Sequence, residues 1–341
     1  MLRVGIIGLG GMGRGRLSYY AKIPEAQVVA VADIRSEQLR HDSSLASLFE
    51  IPVQEVRWFQ DYRELVTSGM VDMVDICLPT SAHKEAVIAS LRAGVHSLCE
   101  KPMALTLKDS QAMLAESQAN GKLLMIAHCV RFWPEYEYLA QLVRNGKVGR
   151  LLSLHLSRQG LTPGKQWMRS NEQSGGVIFD LHVHDLDFCQ YLLGLPRRIY
   201  AQGNQNRGAL FNYDYVSTNL DYGPGLQVSA TAHWTTARIP FTARYEAHFE
   251  RAFLFYDSTQ RPTLRVYYAD KEEPECPELP PSRTAYLNEI RYFIQCILQQ
   301  DSPQRCPPEE SCETVNLCLK TLDSLKTGQL SPIEPIYTAN G

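Results

Sequence analysis

Hydrophobic and polar positions divide this chain into two stretches of different rhythm. Between residue 3 and about residue 127, short apolar runs at 4–7, 28–32, 73–78, 97–99 and 123–127 alternate with longer segments of helical composition. The runs are rich in β-branched residues and predict strands. Segments 82–93 and 107–120 predict helices, each followed by a glycine, Gly94 and Gly121, where a helix C-terminus calls for one. Strands alternating with helices imply a parallel sheet covered on both faces.

After residue 128 the rhythm changes. Residues 151–157, 198–203, 216–222, 227–233 and 245–255 read as strands separated mostly by turns, which predicts a mostly antiparallel open sheet and an α+β architecture. In the last of these, Tyr245, Ala247 and Phe249 alternate with Arg244, Glu246, His248 and Glu250. One face is therefore apolar, and the other is free to meet solvent or a second subunit. A proline-rich stretch at 274–281 precedes two amphipathic helices. The first carries Leu287, Ile290, Ile294 and Ile297 on one stripe; the second begins near Pro308 and carries Val315, Cys318, Leu322 and Leu325. From Gly328 onward there is no periodicity, which predicts an extended or mobile tail. The expected organisation is an α/β domain over 1–128, an α+β domain over 129–330 and a tail over 331–341.

Composition narrows the class. At 341 residues, with 44% hydrophobic and 21% charged residues, the chain suits a two-domain globular enzyme. A net charge of -3 without a Lys/Arg-rich run argues against a nucleic-acid partner and for a small-molecule one. No apolar run reaches the length of a membrane-spanning helix, and the start of the chain lacks the pattern of a secretory signal. The nine cysteines are odd in number and contain no Cys-x-x-Cys pair, so reduced thiols in the cytoplasm are expected rather than a disulfide or zinc framework.

Candidate chemistry begins at Gly8-Leu9-Gly10-Gly11-Met12-Gly13, directly after the first strand and at the start of a helix. In that context the G-x-G-x-x-G spacing is the fingerprint of a Rossmann domain. Gly8 permits the tight turn, Gly10 lets the backbone approach a pyrophosphate, and Gly13 lets helix and strand pack closely. Gly11 and Met12 belong to the helix N-terminus that faces the phosphates. Asp33 ends the second strand, 20 positions after Gly13, where a carboxylate accepts hydrogen bonds from the adenosine ribose. Asp33 favours NAD, while Arg35 keeps NADP open as the alternative.

Two more segments give this nucleotide-binding domain a chemistry: Cys99-Glu100-Lys101-Pro102, and the run from Gly175-Gly176 through Asp180 to His182, His184 and Asp185. Together with the fingerprint and Leu78-Pro79-Thr80-Ser81-Ala82-His83, they closely resemble the Gfo/Idh/MocA family of oxidoreductases over nearly the whole chain. The resemblance implies that Lys101, Asp180 and His184 are catalytic and that Lys101 lies between nicotinamide and substrate. It also implies that Pro79, Thr80, His83, Glu100 and Lys101 belong to the cofactor site, and that no metal takes part.

The residue types suit removal of a hydride from a secondary alcohol. The hydroxyl proton needs a base, which His184 supplies near neutral pH, and Lys101 lowers the cost of negative charge on the substrate oxygen. Asp180 and His184, four apart, share one helix face, so the carboxylate can orient the ring or bind a second hydroxyl. His182 faces away from His184 and reads as structural. With His155 they lack metal-ligand spacing.

Arg131, after the last Rossmann strand, and Trp167, before the Gly-Gly segment, are candidates to hold a polyol, with a surface arginine and a packing tryptophan the equal alternative. Tyr286, in a Tyr-x-x-Glu pattern with Glu289, resembles a family position near the substrate. The resulting expectation is oxidation of one hydroxyl of a sugar, sugar derivative or inositol-like polyol. The alternatives are a redox-neutral glycosidase or epimerase that oxidises transiently, and a regulatory protein that binds the cofactor without catalysis. Family members assemble through the open sheet, which implies a homodimer or homotetramer.

Overall fold

A computed structural model describes residues 1–46, 48, 49, 55–204, 213–281 and 284–337. The chain forms two compact units, Met1–Phe132 with Arg283–Cys312, and Trp133–Ser282 with Glu313–Gly341.

In the first unit six strands are all parallel: β1 (Leu2–Ile7), β2 (Ala26–Ala32), β3 (Arg57–Phe59), β4 (Met73–Ile76), β5 (His96–Glu100) and β6 (Leu124–Ala127). Their order is β3-β2-β1-β4-β5-β6. The strands read as near-continuous apolar runs because both faces are covered: Val4, Ile6, Ile7, Met73, Val74, Ile76 and Leu98 are all buried. The order reverses between β1 and β4, and the carboxyl ends of strands at such a switch point form the usual ligand crevice. The helix Leu107–Asn120 shows how local sequence sets the elements. Thr106 caps its start by accepting the Asp109 N–H, and Gly121 ends it at φ +59°.

The helix Thr284–Gln299 falls in this first unit, not with the segment 129–330 in which the sequence reading put it. The reason is a buried ion pair: Glu289 lies 2.8 Å from Arg16 on the fingerprint helix Gly11–Tyr20. Tyr292 of the same helix packs its ring 5.5 Å from Phe132.

The second unit holds β7 (Leu151–Leu161), β8 (Arg198–Asn204), β9 (Tyr215–Asp221), β10 (Gln227–Thr235), β11 (Thr242–Phe249), β12 (Ala252–Asp257), β13 (Leu264–Tyr268) and β14 (Ser331–Pro332). Their order is β13-β12-β11-β7-β10-β9-β8-β14, antiparallel except for the β7–β10 pair. The expected strand 245–255 is in fact a hairpin, β11 and β12, that turns at Glu250 and Arg251. Glu250 and Arg251 donate their backbone N–H groups to Arg150 and Val148, and the Glu250 carboxylate accepts from Arg150. Those bonds satisfy the turn from outside the sheet, so no Gly or Pro is needed to mark it. Within β11 the expected alternation holds: Tyr245, Ala247 and Phe249 are buried while Arg244, Glu246 and His248 are exposed.

The core of this unit gathers Tyr136, Phe188, Tyr245 and Tyr256. Tyr136 meets the other three rings edge-on at 4.8, 5.2 and 5.5 Å. The tail is extended and is held to the unit. Ser331 and Pro332 add an edge strand to β8, and Glu313 accepts the backbone N–H groups of Ile336 and Tyr337. Residues 338–341 lie outside the described residues.

Candidate active site

The fingerprint turn is shaped by steric necessity at two glycines. Gly8 has φ +91°, and a Cβ there would stand 2.9 Å from the Cys77 carbonyl oxygen; one at Gly13 would stand 2.0 Å from the carbonyl oxygen of Gly8. Around Gly10 there is open space, and Gly10 begins the fingerprint helix with no side chain capping it. Gly11 and Met12 are exposed in its first turn, which contains no acidic residue. An uncapped, uncharged helix start beside an open glycine suits a dinucleotide pyrophosphate.

Asp33 closes this end of the sheet. One carboxylate oxygen accepts the Leu9 N–H at 2.8 Å, and the other accepts the Arg35 N–H at 2.9 Å and its Nε at 3.2 Å. Burial pushes the Asp33 pKa up, but the bonds from Arg35 and Leu9 outweigh it and the net shift is downward. A fixed carboxylate is what ribose hydroxyls need, and Arg35, a 2′-phosphate candidate, is drawn back onto Asp33.

Pro79 and Thr80 lead into a turn of 3₁₀ helix, Thr80–Ala82, with Pro79 half-buried and Thr80 buried. His83 is buried too, with Nε2 2.9 Å from the Leu78 carbonyl oxygen and Nδ1 2.9 Å from that of Pro102. Burial lowers its pKa. His83 thus straps the loop after β4 to the loop after β5.

Glu100, the last residue of β5, is buried and turned toward Arg16, whose Nη1 is 3.2 Å from its Oε1. Lys101 follows it and is half-buried. Arg16 is the centre of a polar cluster under the sheet. Its Nε donates to Asp75 at 2.7 Å, its Nη1 also donates to Glu289 at 2.8 Å, and Tyr20 donates its hydroxyl to Asp75 at 2.8 Å. Burial raises the pKa of Glu100, and it raises that of Glu289 to about 8, with Arg16 opposing in both cases.

Arg131 is fully buried, and its guanidinium donates to the Arg305 carbonyl oxygen and to Glu310. That geometry is a brace between two chain segments, not the surface arginine or polyol-facing group weighed from sequence. Tyr286 is half-buried, and its ring stacks on Tyr19 at 5.9 Å.

In the second unit the Gly-Gly segment leads through a π-helical turn, Ile178–His182, into the helix Val183–Leu193. Such π-turns concentrate at functional sites. From residue 176 to residue 190 every side chain is buried except two, Asp180 and His184, which are half-buried. The two residues expected to share a face are thus the two that reach the unit's surface. His182 is fully buried, with Nε2 2.9 Å from Thr218 Oγ1, and burial, aided by the charge on Arg158, lowers its pKa to about 3. It is structural, as its position predicts. Behind His184, Asp185 takes two bonds from buried Arg158, at 2.8 and 3.2 Å. Trp167 is half-buried on the turn Trp167–Arg169, which Ser174 ties to the Gly-Gly segment by donating to the Met168 carbonyl oxygen.

Arg16, Asp75 and Arg158 escaped the sequence reading, and Glu289 entered it only as the acid of the Tyr-x-x-Glu pattern. Asp75 had a signal, being the one charge in the apolar run Met73-Val74-Asp75-Ile76. Among the described residues, no three His, Cys, Asp or Glu side chains are grouped to hold a metal ion, and no helix is long and apolar enough to cross a membrane.

Comparison with known proteins agrees with this geometry. Residues 2–128 match the family model described as "Oxidoreductase family, NAD-binding Rossmann fold", and residues 136–254 match the "GFO/IDH/MocA C-terminal domain". An uncharacterized oxidoreductase of Bacillus subtilis, YrbE, is 26% identical over 340 residues, spanning 97% of this chain and 96% of that one. The myo-inositol 2-dehydrogenase of Thermotoga maritima is 26% identical over 313 residues, or 89% and 90% of the two chains. Among solved structures, levoglucosan dehydrogenase in complex with NADH has the same fold, with a TM-score of 0.86 and 21% identity over 98% of this chain and 100% of that one.

Proposed function

Since the chain belongs to the Gfo/Idh/MocA oxidoreductases, a family that binds NAD, we propose that it oxidises one secondary hydroxyl of a sugar, sugar derivative or inositol-like polyol. The observation that carries this reading is the emergence of Asp180 and His184 alone from an otherwise buried segment. The names of relatives, myo-inositol 2-dehydrogenase among them, support the substrate class.

Gly8, Gly10, Gly11, Met12 and Gly13 hold the pyrophosphate, Asp33 the adenosine ribose, and Pro79, Thr80 and Lys101 the nicotinamide end. Bound NAD supplies the ring that accepts a hydride from the carbinol carbon. His184 takes the hydroxyl proton as the C–H bond breaks, so the substrate leaves as a ketone. Asp180 orients the imidazole or a neighbouring hydroxyl. The Lys101 ammonium donates to the substrate oxygen and lowers the cost of the charge that develops there. Asp33 sets the choice of cofactor, because a 2′-phosphate beside a fixed carboxylate brings like charges together.

A second copy of the chain docks on the exposed sheet face, where the rings of His248, Phe253 and Tyr267 pack in a row. Cys77, Cys99, Cys189, Cys276 and Cys296 stand as thiols, which suits the cytoplasm.

The test is a panel of sugars and cyclitols with NAD and NADP, followed by nicotinamide absorbance. The expected result is net reduction of NAD by at least one polyol, at least about tenfold faster than of NADP. Conversion of a substrate with no net change in nicotinamide would replace this reading by the redox-neutral one. Binding of NAD with no conversion of any polyol would leave the regulatory one.

A further inference from the structure

The helix Thr284–Gln299 carries a fully buried acid, Glu289, into the first unit, and the reaction above does not use it. Its Oε2 lies 2.8 Å from Nη1 of Arg16, and the same nitrogen lies 3.2 Å from Glu100, the residue before Lys101. Nε of Arg16 is occupied by Asp75. One guanidinium therefore faces three buried carboxyl groups, and Nη1 divides its two protons between two of them. Were all three ionised, the cluster would hold two net negative charges away from water, which costs far more than retaining one proton. Among the described residues, Oε1 of Glu289 has no hydrogen-bond partner. Such a position costs an ionised carboxylate much more than a carboxylic acid.

The charged groups that face Glu289 are Arg16 from the fingerprint helix, Asp75 from β4 and Glu100 from β5. Tyr20, Cys77 and Cys99 lie around the same cluster, and Tyr286 sits one turn earlier on its own helix. Burial raises the tyrosines Tyr20 and Tyr286 and both thiols, and for Tyr286 the neighbouring Cys129 adds the largest part, so none of these changes charge near neutral pH.

We propose that Glu289 is a positioning residue for Lys101. As a carboxylic acid it leaves the charge of Arg16 to Glu100 and so fixes the end of β5 that Lys101 follows; as a carboxylate it competes with Glu100 for Arg16. The inference rests on the reading that Lys101 takes part in the reaction. Burial raises the Glu289 pKa to about 8, with Arg16 opposing, so the change falls within a working range of pH. Turnover then declines as pH rises through that value.

The experiment compares the parent with Glu289→Gln, whose amide resembles the carboxylic acid. Infrared difference spectra of the two proteins without cofactor should show a carboxylic-acid carbonyl band in the parent at pH 7. The band should vanish as pH passes about 8. With the polyol that the parent oxidises, Glu289→Gln should keep its turnover at alkaline pH where the parent loses it. Glu289→Leu should lower kcat at least about tenfold with little change in KM. A parent without the band at pH 7, or a Glu289→Gln protein with the parent's alkaline decline, would overturn this role alone. A Lys101→Met protein as active as the parent would overturn the function and this role together.

Discussion

The first unit buries Arg16 and Arg131 and the second buries Arg158, and Arg16 and Arg158 are provisioned in opposite ways. Arg158, in the second unit, meets one carboxylate, Asp185, by two bonds, and adds the Tyr136 hydroxyl at 3.2 Å and the Trp133 ring at 5.7 Å. Two of its nitrogens are held by that single carboxylate. Arg16, in the first unit, meets Asp75, Glu100 and Glu289. A matched pair has one state near neutral pH and holds a helix in place. An acid-rich cluster must store a proton, and it can release one. The first arrangement stands behind the segment that carries Asp180 and His184; the second stands behind Lys101. Rigidity and responsiveness are thus set by how many acids surround a buried cation.

The largest effect expected from this contrast comes from removing each arginine in turn. Arg16→Met and Arg158→Met should each cost about 3–5 kcal/mol, since both strand buried acids without a cation. They should differ in pH dependence. Carboxyl groups whose pKa is raised by folding stabilise the fold fully below their unfolded values, and that stability is lost as pH rises through the folded values. Arg16→Met leaves two such groups, Glu100 and Glu289, and Arg158→Met one, Asp185, so the unfolding free energy of the first should fall more steeply between pH 5 and about 8. Denaturant titrations across that range check it, and equal slopes would erase the distinction.

A smaller effect probes the matched side. Burial and Arg158 hold the pKa of His182 down to about 3, below its ordinary 6.5. A lowered histidine contributes stability that is present above 6.5 and is lost as pH falls toward the folded value. The loss by pH 4 should amount to about 3 kcal/mol. His182→Gln should remove that acid-side slope. Its persistence in thermal melts from pH 7 to pH 4 would show that the slope has another source.

What could be read in the sequence follows the same contrast. Gly8, Gly10, Gly13, Asp33, Lys101, Asp180 and His184 stand at fixed spacings within short segments, because each motif is built by one turn of chain. The alternation of Tyr245, Ala247 and Phe249 was legible because a half-buried strand imposes it. The pairing of Arg16 with Glu289 was not, since they meet across 273 positions. An arginine on a helix reads as surface, and only the fold shows that this face is covered. Glu289 was hidden in another way: it sits beside Ile290 on an apolar stripe, where an acid has no reason to be unless a cation waits opposite. The turn at Glu250 and Arg251 lacked turn residues because Arg150 and Val148 supply its bonds from elsewhere.

The central claim is that a bound NAD is put to use by Lys101 in a hydride transfer. The most direct measurement is single-turnover reduction of NAD by the polyol found in the panel, with parent and Lys101→Met each first titrated with NADH by fluorescence. The account predicts NADH affinity within about threefold of the parent and a reduction rate lower by about a hundredfold or more. Turnover equal to the parent's in a variant that binds NADH equally well would contradict it.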